Sequence, residues 1–331
     1  MSEHLLQIRG LTTELETRDG RLRAVDNVDL TVERGQTVGL VGESGCGKSM
    51  LAYSILRLVP PPGRVTAGEV FWKGHDLHRQ TEDELRKVRG REIALIFQEP
   101  SAALNPVLTI GVHVAEPLRI HLRMGRKEAH ERAAELLKAV LIPDPTKRLA
   151  DYPHQMSGGM KQRVLIAMAI ACSPDLLIAD EPTTALDVTV QAQILELLSR
   201  LKEEYNLSLL LISHDLGVVA QNVDHLAVMY AGRIVEQAPV AAIFNDTKHP
   251  YTEGLLRSIP RPGVNGEGKR RLEAIEGTVP NLAELPPGCA FHPRCPYRFE
   301  PCDTVTPTLK EVVPSHFASC HKYSEAAEVR K

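Results

Sequence analysis

The stretch GESGCGKS at residues 42–49 decides the fold of this chain. It follows a short apolar segment, QTVGLV at 36–41, and precedes a segment of helical composition at 49–58. A glycine-rich turn between a buried strand and a helix points its backbone N–H groups at one place, and the helix N-terminus adds partial positive charge there. The sequence therefore predicts a phosphate-binding loop within an α/β fold. An ordinary glycine-rich turn is the alternative, and the strand-then-helix setting argues against it.

Residues of this loop are predicted to bind both the phosphates and a metal ion. Lys48 is expected to reach the β- and γ-phosphates of a nucleoside triphosphate, and the Ser49 hydroxyl is expected to bind Mg²⁺. The three glycines have no Cβ, so the backbone can come close to the phosphates. The predicted nucleotide-binding residues of this loop are Gly42, Glu43, Ser44, Gly45, Cys46, Gly47, Lys48 and Ser49.

Two carboxylates close a second apolar run, LLIA at 176–179. Because α/β folds bind ligands at the carboxyl ends of their strands, we expect both side chains to face the nucleotide. Asp180 is predicted to hold Mg²⁺, directly or through water, and Glu181 to polarise the attacking water. His214 follows a third apolar run, at 207–212, and is expected near the γ-phosphate. Solvated acids and a structural histidine are the alternatives, and the phosphate loop argues against them.

A second candidate phosphate site opens the helical stretch at 160–172. Ser157 is a preferred N-cap, and Gly158 and Gly159 leave the first-turn N–H groups uncovered. This segment has no lysine and no metal ligand, so it can complete a nucleotide site but cannot form one. Head-to-tail pairing, in which each chain offers this segment to the other's nucleotide, explains both half-sites; a plain capped helix is the alternative.

Together these motifs resemble those of an ATP-binding-cassette (ABC) ATPase. The resemblance covers roughly residues 5 to 325. It implies an α/β phosphate-loop NTPase fold with a parallel-sheet core, an antiparallel β subdomain and a helical insertion. The family's Walker A, Q-loop, signature, Walker B, D-loop and switch histidine match, in family order, 42–49, Gln98, 157–160, 176–181, 185–187 and His214.

The resemblance also implies roles that spacing alone does not assign. Gln98 would contact Mg²⁺ and act in catalysis beside Lys48, Glu181 and His214. Asp187 of the D-loop would contact the nucleotide. One position departs from the family pattern, because a leucine, residue 15, stands where an aromatic side chain usually stacks on adenine. What contacts adenine is therefore left open.

Four further segments resemble the ATPase subunits of bacterial oligopeptide and dipeptide importers, in particular the D-type subunit. That resemblance implies hydrolysis of ATP to energise peptide uptake, on the cytoplasmic face of the inner membrane. The implied partners are a homologous F-type ATPase or a second copy of this chain, two transmembrane permeases and an extracytoplasmic substrate-binding protein. Nickel, glutathione or oligosaccharide import, or a soluble cassette ATPase outside transport, are the alternatives. The segments are QEP at 98–100, LNP at 104–106, YPHQ at 152–155 and HPYT at 249–252.

Four of the six cysteines crowd a proline-rich tail with the spacings C-x5-C, C-x6-C and C-x17-C. Four thiolates in a short segment suit either zinc or an iron–sulfur cluster. No C-x2-C pair is present, which counts against an ordinary zinc ribbon. The D-type importer subunits carry a similar tail that binds a [4Fe–4S] cluster, so the resemblance favours the cluster over zinc or free thiols. The four residues are Cys289, Cys295, Cys302 and Cys320.

Composition agrees with this interpretation. The 331 residues carry a net charge of −3 with 24% charged residues, so no basic field indicates a nucleic-acid partner. The longest apolar run, at 164–172, is about half a membrane span, so the membrane pores are expected to be other chains. We predict a nucleotide-binding domain at 1–245 with a helical insertion at about 99–156. Within the insertion, a helix at 126–140 is predicted to carry Ala133, Leu136, Leu137 and Val140 on one apolar stripe. A C-terminal extension is predicted at 246–331, and a linker within it, at 257–269, leads to the part that carries the cysteines.

Overall fold

The computed structural model describes residues 4–17, 20–259 and 275–323. The predicted linker lies outside the described residues from position 260 to its end. Two compact units alternate along the chain. The first comprises Met1–Leu5, Val32–Thr37 and Asp76–Ile212, and the second comprises Leu6–Thr31, Val38–His75 and Ser213–Lys331.

The elements follow one another in mixed order, with strands and helices alternating through most of the chain. The strands are β1 (Leu6–Thr17), β2 (Gly20–Val32), β3 (Thr37–Val41), β4 (Arg64–Trp72), β5 (His75–Asp76), β6 (Ile93–Ile96), β7 (Leu176–Asp180), β8 (Ser208–Ser213), β9 (His225–Tyr230), β10 (Arg233–Pro239), β11 (Lys310–Val313) and β12 (His316–Ala318). The helices are α1 (Lys48–Ile55), α2 (Glu82–Val88), α3 (Pro100–Ala103), α4 (Ile110–His121), α5 (Arg126–Ala139), α6 (Pro145–Arg148), α7 (Gly158–Ile170), α8 (Val188–Tyr205), α9 (Leu216–Ala220), α10 (Val240–Asn245) and α11 (Pro250–Arg257).

The first unit holds three neighbouring parallel strands, β6, β7 and β8. All residues of β7 and β8 are buried, as expected for continuous apolar runs in a parallel sheet covered on both faces. The apolar runs predicted as strands at 176–179 and 207–212 are therefore confirmed. In register, Asp180 lies beside Ile212 at the carboxyl ends of β7 and β8.

Helices α4, α5 and α7, which follow Gln98 in the chain, pack together in the first unit. The predicted apolar stripe on α5 is confirmed, because Ala133, Leu136, Leu137 and Val140 are all buried. Arg163 of α7 donates a hydrogen bond of 2.9 Å to the carbonyl of Val140, at the end of α5. These three helices are thus held together by an apolar seam and a capped helix end.

The second unit contains an antiparallel sheet, as expected from the family resemblance, and in it β1 lies between β2 and β4. Beside it, β3 pairs in parallel with β9, and β9, β10, β12 and β11 continue antiparallel. Strands β11 and β12 belong to the C-terminal tail, and sequence analysis did not predict them. The tail therefore adds strands to a sheet that also contains β3, the strand before the phosphate loop.

A buried carboxylate fastens the tail to β10. Glu236 is fully buried and accepts hydrogen bonds from His316 Nε2 at 2.7 Å and from the backbone N–H groups of Lys248 and His249 at 2.6 and 3.0 Å. A buried charge is tolerated when it is hydrogen-bonded on several sides. The described residues after position 245, 246–259 and 275–323, accordingly belong to the second unit, while the boundary at 245 stays a prediction.

Within the described ranges, no helix combines the length and the apolar character that crossing a bilayer requires.

Truncation of the α5 stripe tests this packing. Leu136 is 1% exposed, so Leu136→Ala is expected to lower the free energy of unfolding by about 2–5 kcal/mol through lost burial and the cavity left behind. Lys138→Ala, on the exposed face of the same helix, should change it by less than about 0.5 kcal/mol. Denaturant unfolding of the full chain measures both values. Equal losses in the two variants would contradict the assignment of the buried face.

Candidate functional site

The phosphate loop lies between β3 and α1 and packs tightly on neighbouring backbone. A Cβ at Gly47 would lie 2.1 Å from the carbonyl oxygen of Ala24, and one at Gly42 would lie 2.2 Å from that of Met229. Gly47 also has φ +109, a backbone conformation that L side chains rarely adopt. Glycine is thus required by contact with β2 and β9, in addition to the predicted approach of phosphates.

Lys48 is folded back into its own loop. Its side chain is buried, and Nζ donates hydrogen bonds to the carbonyls of Gly42 at 2.8 Å and Glu43 at 3.1 Å. Nζ also lies 3.9 Å from Cys46 Sγ. Burial raises the pKa of the Cys46 thiol, against a smaller opposing effect of the Lys48 charge. Cys46 therefore fills space beneath the loop as a neutral thiol, and only its backbone is suited to an anion.

In the first unit, Gln98 and Glu181 are brought together. Gln98 Nε2 donates to Glu181 Oε2 at 3.0 Å, and the Thr184 hydroxyl donates to the same oxygen at 2.7 Å. Glu181 has φ +46, an uncommon conformation for a non-glycine residue. Its backbone N–H donates to Ile212 O at 3.0 Å, which fixes the turn after β7. The carboxylate is thus held from two sides at the end of a buried strand.

Asp180 lies one residue earlier, as the last residue of β7, and is fully buried. A carboxylate in that position is suited to a divalent cation, whose charge offsets the cost of burying an anion. The geometry is that of a strand-end acid, as the sequence predicts. Binding of Mg²⁺ by Asp180, Gln98 and Ser49 stays a prediction.

The signature segment has the predicted capped-helix geometry. Ser157 is the N-cap of α7, and its Oγ accepts a hydrogen bond from Met160 N at 3.3 Å. Gly158 is exposed, and a Cβ at Gly159 would lie 2.8 Å from Val190 Cγ1 of α8. Asp187 caps α8 in turn, with Oδ1 accepting from Val190 N at 3.0 Å. The helix N-terminus is open at Ser157 and Gly158 and closely packed at Gly159.

His214 and Leu15 are two other positions that the sequence analysis singled out. His214 is exposed and directly follows β8. Leu15 lies half-buried on β1, with its side chain against Gly63: a Cβ added to that glycine would lie 2.5 Å from Leu15 Cδ2. The residues at 42–49, Leu15 and His214 belong to the second unit; Gln98, Ser157–Gly159, Asp180, Glu181 and Asp187 belong to the first.

Sequence reasoning missed three residues that contact the predicted site. Thr184 follows the strand-end carboxylates, and its proximity alone could have suggested the contact with Glu181. Tyr251 accepts a hydrogen bond from the backbone N–H of Glu43 at 2.9 Å. Arg294 forms an ion pair with the Glu43 side chain, with Nη1 2.7 Å from Oε2. Nothing local in the sequence indicates these last two contacts, because they join residues more than 200 positions apart.

The four tail cysteines converge on one cavity of about 230 Å³. The backbone N–H of Cys289 donates to Cys302 O at 2.8 Å, which holds two of them together. Burial raises the pKa of the Cys289 thiol to about 11, and also raises the pKa values of Cys295 and Cys320. Around the cysteines, the cavity walls include Phe291, Tyr297, Phe299, His249, His292 and His321.

Binding of a metal or a cluster by these thiols stays a prediction. In the part of the chain that the structure describes, no group of three or more His, Cys, Asp or Glu side chains is placed to hold one metal ion. A zinc site needs four ligands on one centre at about 2.0–2.3 Å. The four cysteines line one cavity together with aromatic side chains.

A phosphate loop, strand-end carboxylates and a helix opened by Ser-Gly-Gly together define the class of ATP-binding-cassette ATPases. A family profile described as ABC transporter matches residues 25–184, and one described as the C-terminal region of oligopeptide/dipeptide transporters matches residues 235–302. A solved dimeric ATP-binding cassette, bound to ADP and Pi in a post-hydrolysis state, aligns with a TM-score of 0.64 at 30% identity, over 71% of this chain and 98% of its own.

Relatives match along almost the whole length. The dipeptide transport ATP-binding protein DppD of Bacillus subtilis is 47% identical over 98% of this chain and 97% of its own. The protein of the same name from Escherichia coli is 46% identical over 96% of each chain. The chain therefore belongs to the ABC transporter ATPases of the peptide and dipeptide import family.

The close packing of the phosphate loop gives a direct test. Gly47→Ala should weaken binding of a fluorescent ATP analogue at least about tenfold, because strain of about 1–3 kcal/mol at a positive φ adds to the clash with Ala24 O. Gly125→Ala is the matched control, since Gly125 has φ −62 and open space where its Cβ would lie. Binding by Gly47→Ala at the level of the control would show that the loop does not need glycine there.

Proposed function

We propose that this chain is the ATP-hydrolysing subunit of a bacterial importer that energises uptake of di- and oligopeptides through separate transmembrane subunits. Membership of the peptide and dipeptide import family supports it, as do the dipeptide-transport names of its relatives. The observation that carries the chemistry is the carboxylate of Glu181, held by Gln98 and Thr184 at the end of a buried strand. Such an acid is suited to orienting water for attack on a phosphate.

The proposed roles follow the order of the motifs along the chain. The N–H groups of residues 42–49 and the Lys48 ammonium hold the phosphates of ATP, and Ser49 and Asp180 hold Mg²⁺. Gln98 positions both the metal and Glu181. His214 then stabilises the charge that spreads over the transferred phosphoryl group. Magnesium supplies charge neutralisation when bound, and the residues of this chain supply its ligands and the orientation of water.

Dimerisation completes the proposed site. The first-turn N–H groups that Ser157, Gly158 and Gly159 offer form an anion site without a cation of its own. We propose that this segment binds the γ-phosphate of the nucleotide on a partner ATPase, with Asp187 beside it. The similar solved cassette is itself dimeric. The partner is an F-type homologue or a second copy of this chain.

The remaining partners follow from the function. A subunit that energises uptake needs two permeases to form the pore and an extracytoplasmic protein to deliver peptides. The predicted helical insertion at 99–156 is the proposed contact with the permeases, on the cytoplasmic face of the membrane. Its buried seam on α5 leaves the outer faces of α4 and α5 for that contact, where Val112 and Ile120 are 45% and 63% exposed.

Glu181→Gln tests the catalytic proposal. The neutral amide keeps the size of the side chain but cannot act as a base, so the assembled transporter should bind ATP and fall at least about 100-fold in turnover, in the range of a lost general base. Trapped ATP and a stable dimer are expected. Glu196→Gln, on the exposed face of α8, is the matched control and should hydrolyse ATP normally. Normal turnover by Glu181→Gln would rule out the proposed role.

For the tail, we propose that Cys289, Cys295, Cys302 and Cys320 hold a [4Fe–4S] cluster. Four cysteines around one cavity with aromatic walls suit a cluster, which occupies the space between its ligands, better than a single zinc ion. The cluster would supply cross-links among four points of a segment with few strands, and metal binding to thiolates releases protons. A structural role is the simplest one.

Cys295→Ser tests the cluster. Protein purified without oxygen should carry about four iron and four sulfide per chain and absorb visible light, and the variant should lose both. Cys172→Ser, a cysteine outside the tail, is the matched control and should keep the full iron content. Zinc in place of iron in the unmodified protein, or unchanged iron content in Cys295→Ser, would overturn the proposal.

A further inference from the structure

The C-terminal tail reaches the phosphate loop through one ion pair. Arg294 Nη1 lies 2.7 Å from Glu43 Oε2, and Nη2 lies 3.0 Å from Oε1, so the guanidinium binds both carboxylate oxygens. This bidentate form is the strongest geometry for an arginine and a carboxylate. The Arg294 side chain is only 5% exposed and that of Glu43 is 27% exposed, so solvent screens the pair weakly.

Arg294 is itself held in place by residues of the tail and of β9. Its Nε donates to Glu276 O at 3.0 Å, and its guanidinium carbon lies 5.9 Å from the ring centroids of both Tyr230 and Phe291. Those rings pack edge to face at 5.3 Å. The arginine therefore presents its charge from a fixed position.

Tyr251 holds the backbone of the same loop residue. Its hydroxyl accepts a hydrogen bond from Glu43 N at 2.9 Å, while Glu43 O accepts one from Lys48 Nζ at 3.1 Å. Tyr251 is fully buried, with its ring centroid 4.6 Å from that of Tyr230. Burial raises the pKa of the Tyr251 hydroxyl, which stays neutral and able to accept. Glu43 is thus fixed at its N–H, its carbonyl and its side chain.

The position of Glu43 creates an electrostatic problem for a phosphate loop. A carboxylate two residues before Gly45 places a negative charge in the segment that receives a polyanion. At distances of a few ångström and a moderate effective dielectric, such repulsion is large enough to change nucleotide affinity by an order of magnitude. An arginine bound to both carboxylate oxygens cancels this charge at its source.

We propose that Arg294 is a positioning residue of the ATP site, which neutralises Glu43 so that the loop can accept phosphates, with Tyr251 fixing the Glu43 backbone. The inference rests on the proposed function in that it concerns ATP binding by the same loop. The tail then contributes to the nucleotide site, because Arg294, which precedes Cys295 in the chain, contacts the phosphate loop. If the ion pair only held the tail in place, the charge of Arg294 would have no effect on phosphate binding.

Nucleotide binding by the full-length chain tests the proposal, with a fluorescent ATP analogue as the probe. Arg294→Gln should weaken binding about tenfold, because it leaves the Glu43 charge uncompensated. Adding Glu43→Gln to that variant removes the charge, and affinity should return to within about threefold of the unmodified chain. Arg294→Lys keeps a cation and should lose less than Arg294→Gln. Arg298→Gln, an exposed arginine of the same segment, is the control and should bind normally.

The salt dependence separates charge from structure. The loss in Arg294→Gln should shrink as ionic strength rises, because salt screens the repulsion between carboxylate and phosphates. Unchanged affinity in Arg294→Gln, or a double variant as weak as Arg294→Gln, would overturn the inference while leaving ATP binding by the unmodified chain intact. Failure of the unmodified chain to bind the analogue would overturn the proposed function itself.

Discussion

The packing of the phosphate loop against β2 and β9 is the constraint on which the rest of the site depends. At Gly42 and Gly47 the loop runs so close to the carbonyls of Met229 and Ala24 that no side chain fits. This contact fixes the curve of the loop, and the curve brings Lys48 Nζ onto the carbonyls of residues 42 and 43. A binding surface made of backbone N–H groups has affinity only when the backbone is held in this way.

The carboxylate side of the chemistry depends on a different kind of constraint. Buried parallel strands place Asp180 and Glu181 where β7 ends, and side-chain donors then hold Glu181 in one orientation. The strand supplies the position and the hydrogen bonds supply the direction. The phosphate loop belongs to the second unit, and both carboxylates belong to the first.

Local patterns allowed much of this to be predicted from sequence. The strand before the loop, the strand ending at Asp180, the Ser157 cap and the α5 stripe depend on apolar runs, spacing and capping chemistry within a few residues. The added strands β11 and β12 could not be predicted, because β12 pairs with β10, far away in the chain, and β11 pairs with β12. The same holds for Arg294 and Tyr251, whose contacts with Glu43 are non-local. The convergence of the tail cysteines was foreseeable from their density, but the cavity between them was not.

The central claim is that this ATPase works as part of a peptide importer, and its assembly in the native membrane tests that claim most directly. The tagged full-length chain would be recovered from native membranes in mild detergent, and all co-purifying proteins would be identified. The account predicts two multispanning permeases, together with either a second cassette ATPase or two copies of this chain, in a complex whose ATP hydrolysis rises with a peptide-loaded binding protein. Recovery with ribosomes or DNA-bound proteins, and without permeases, would contradict it.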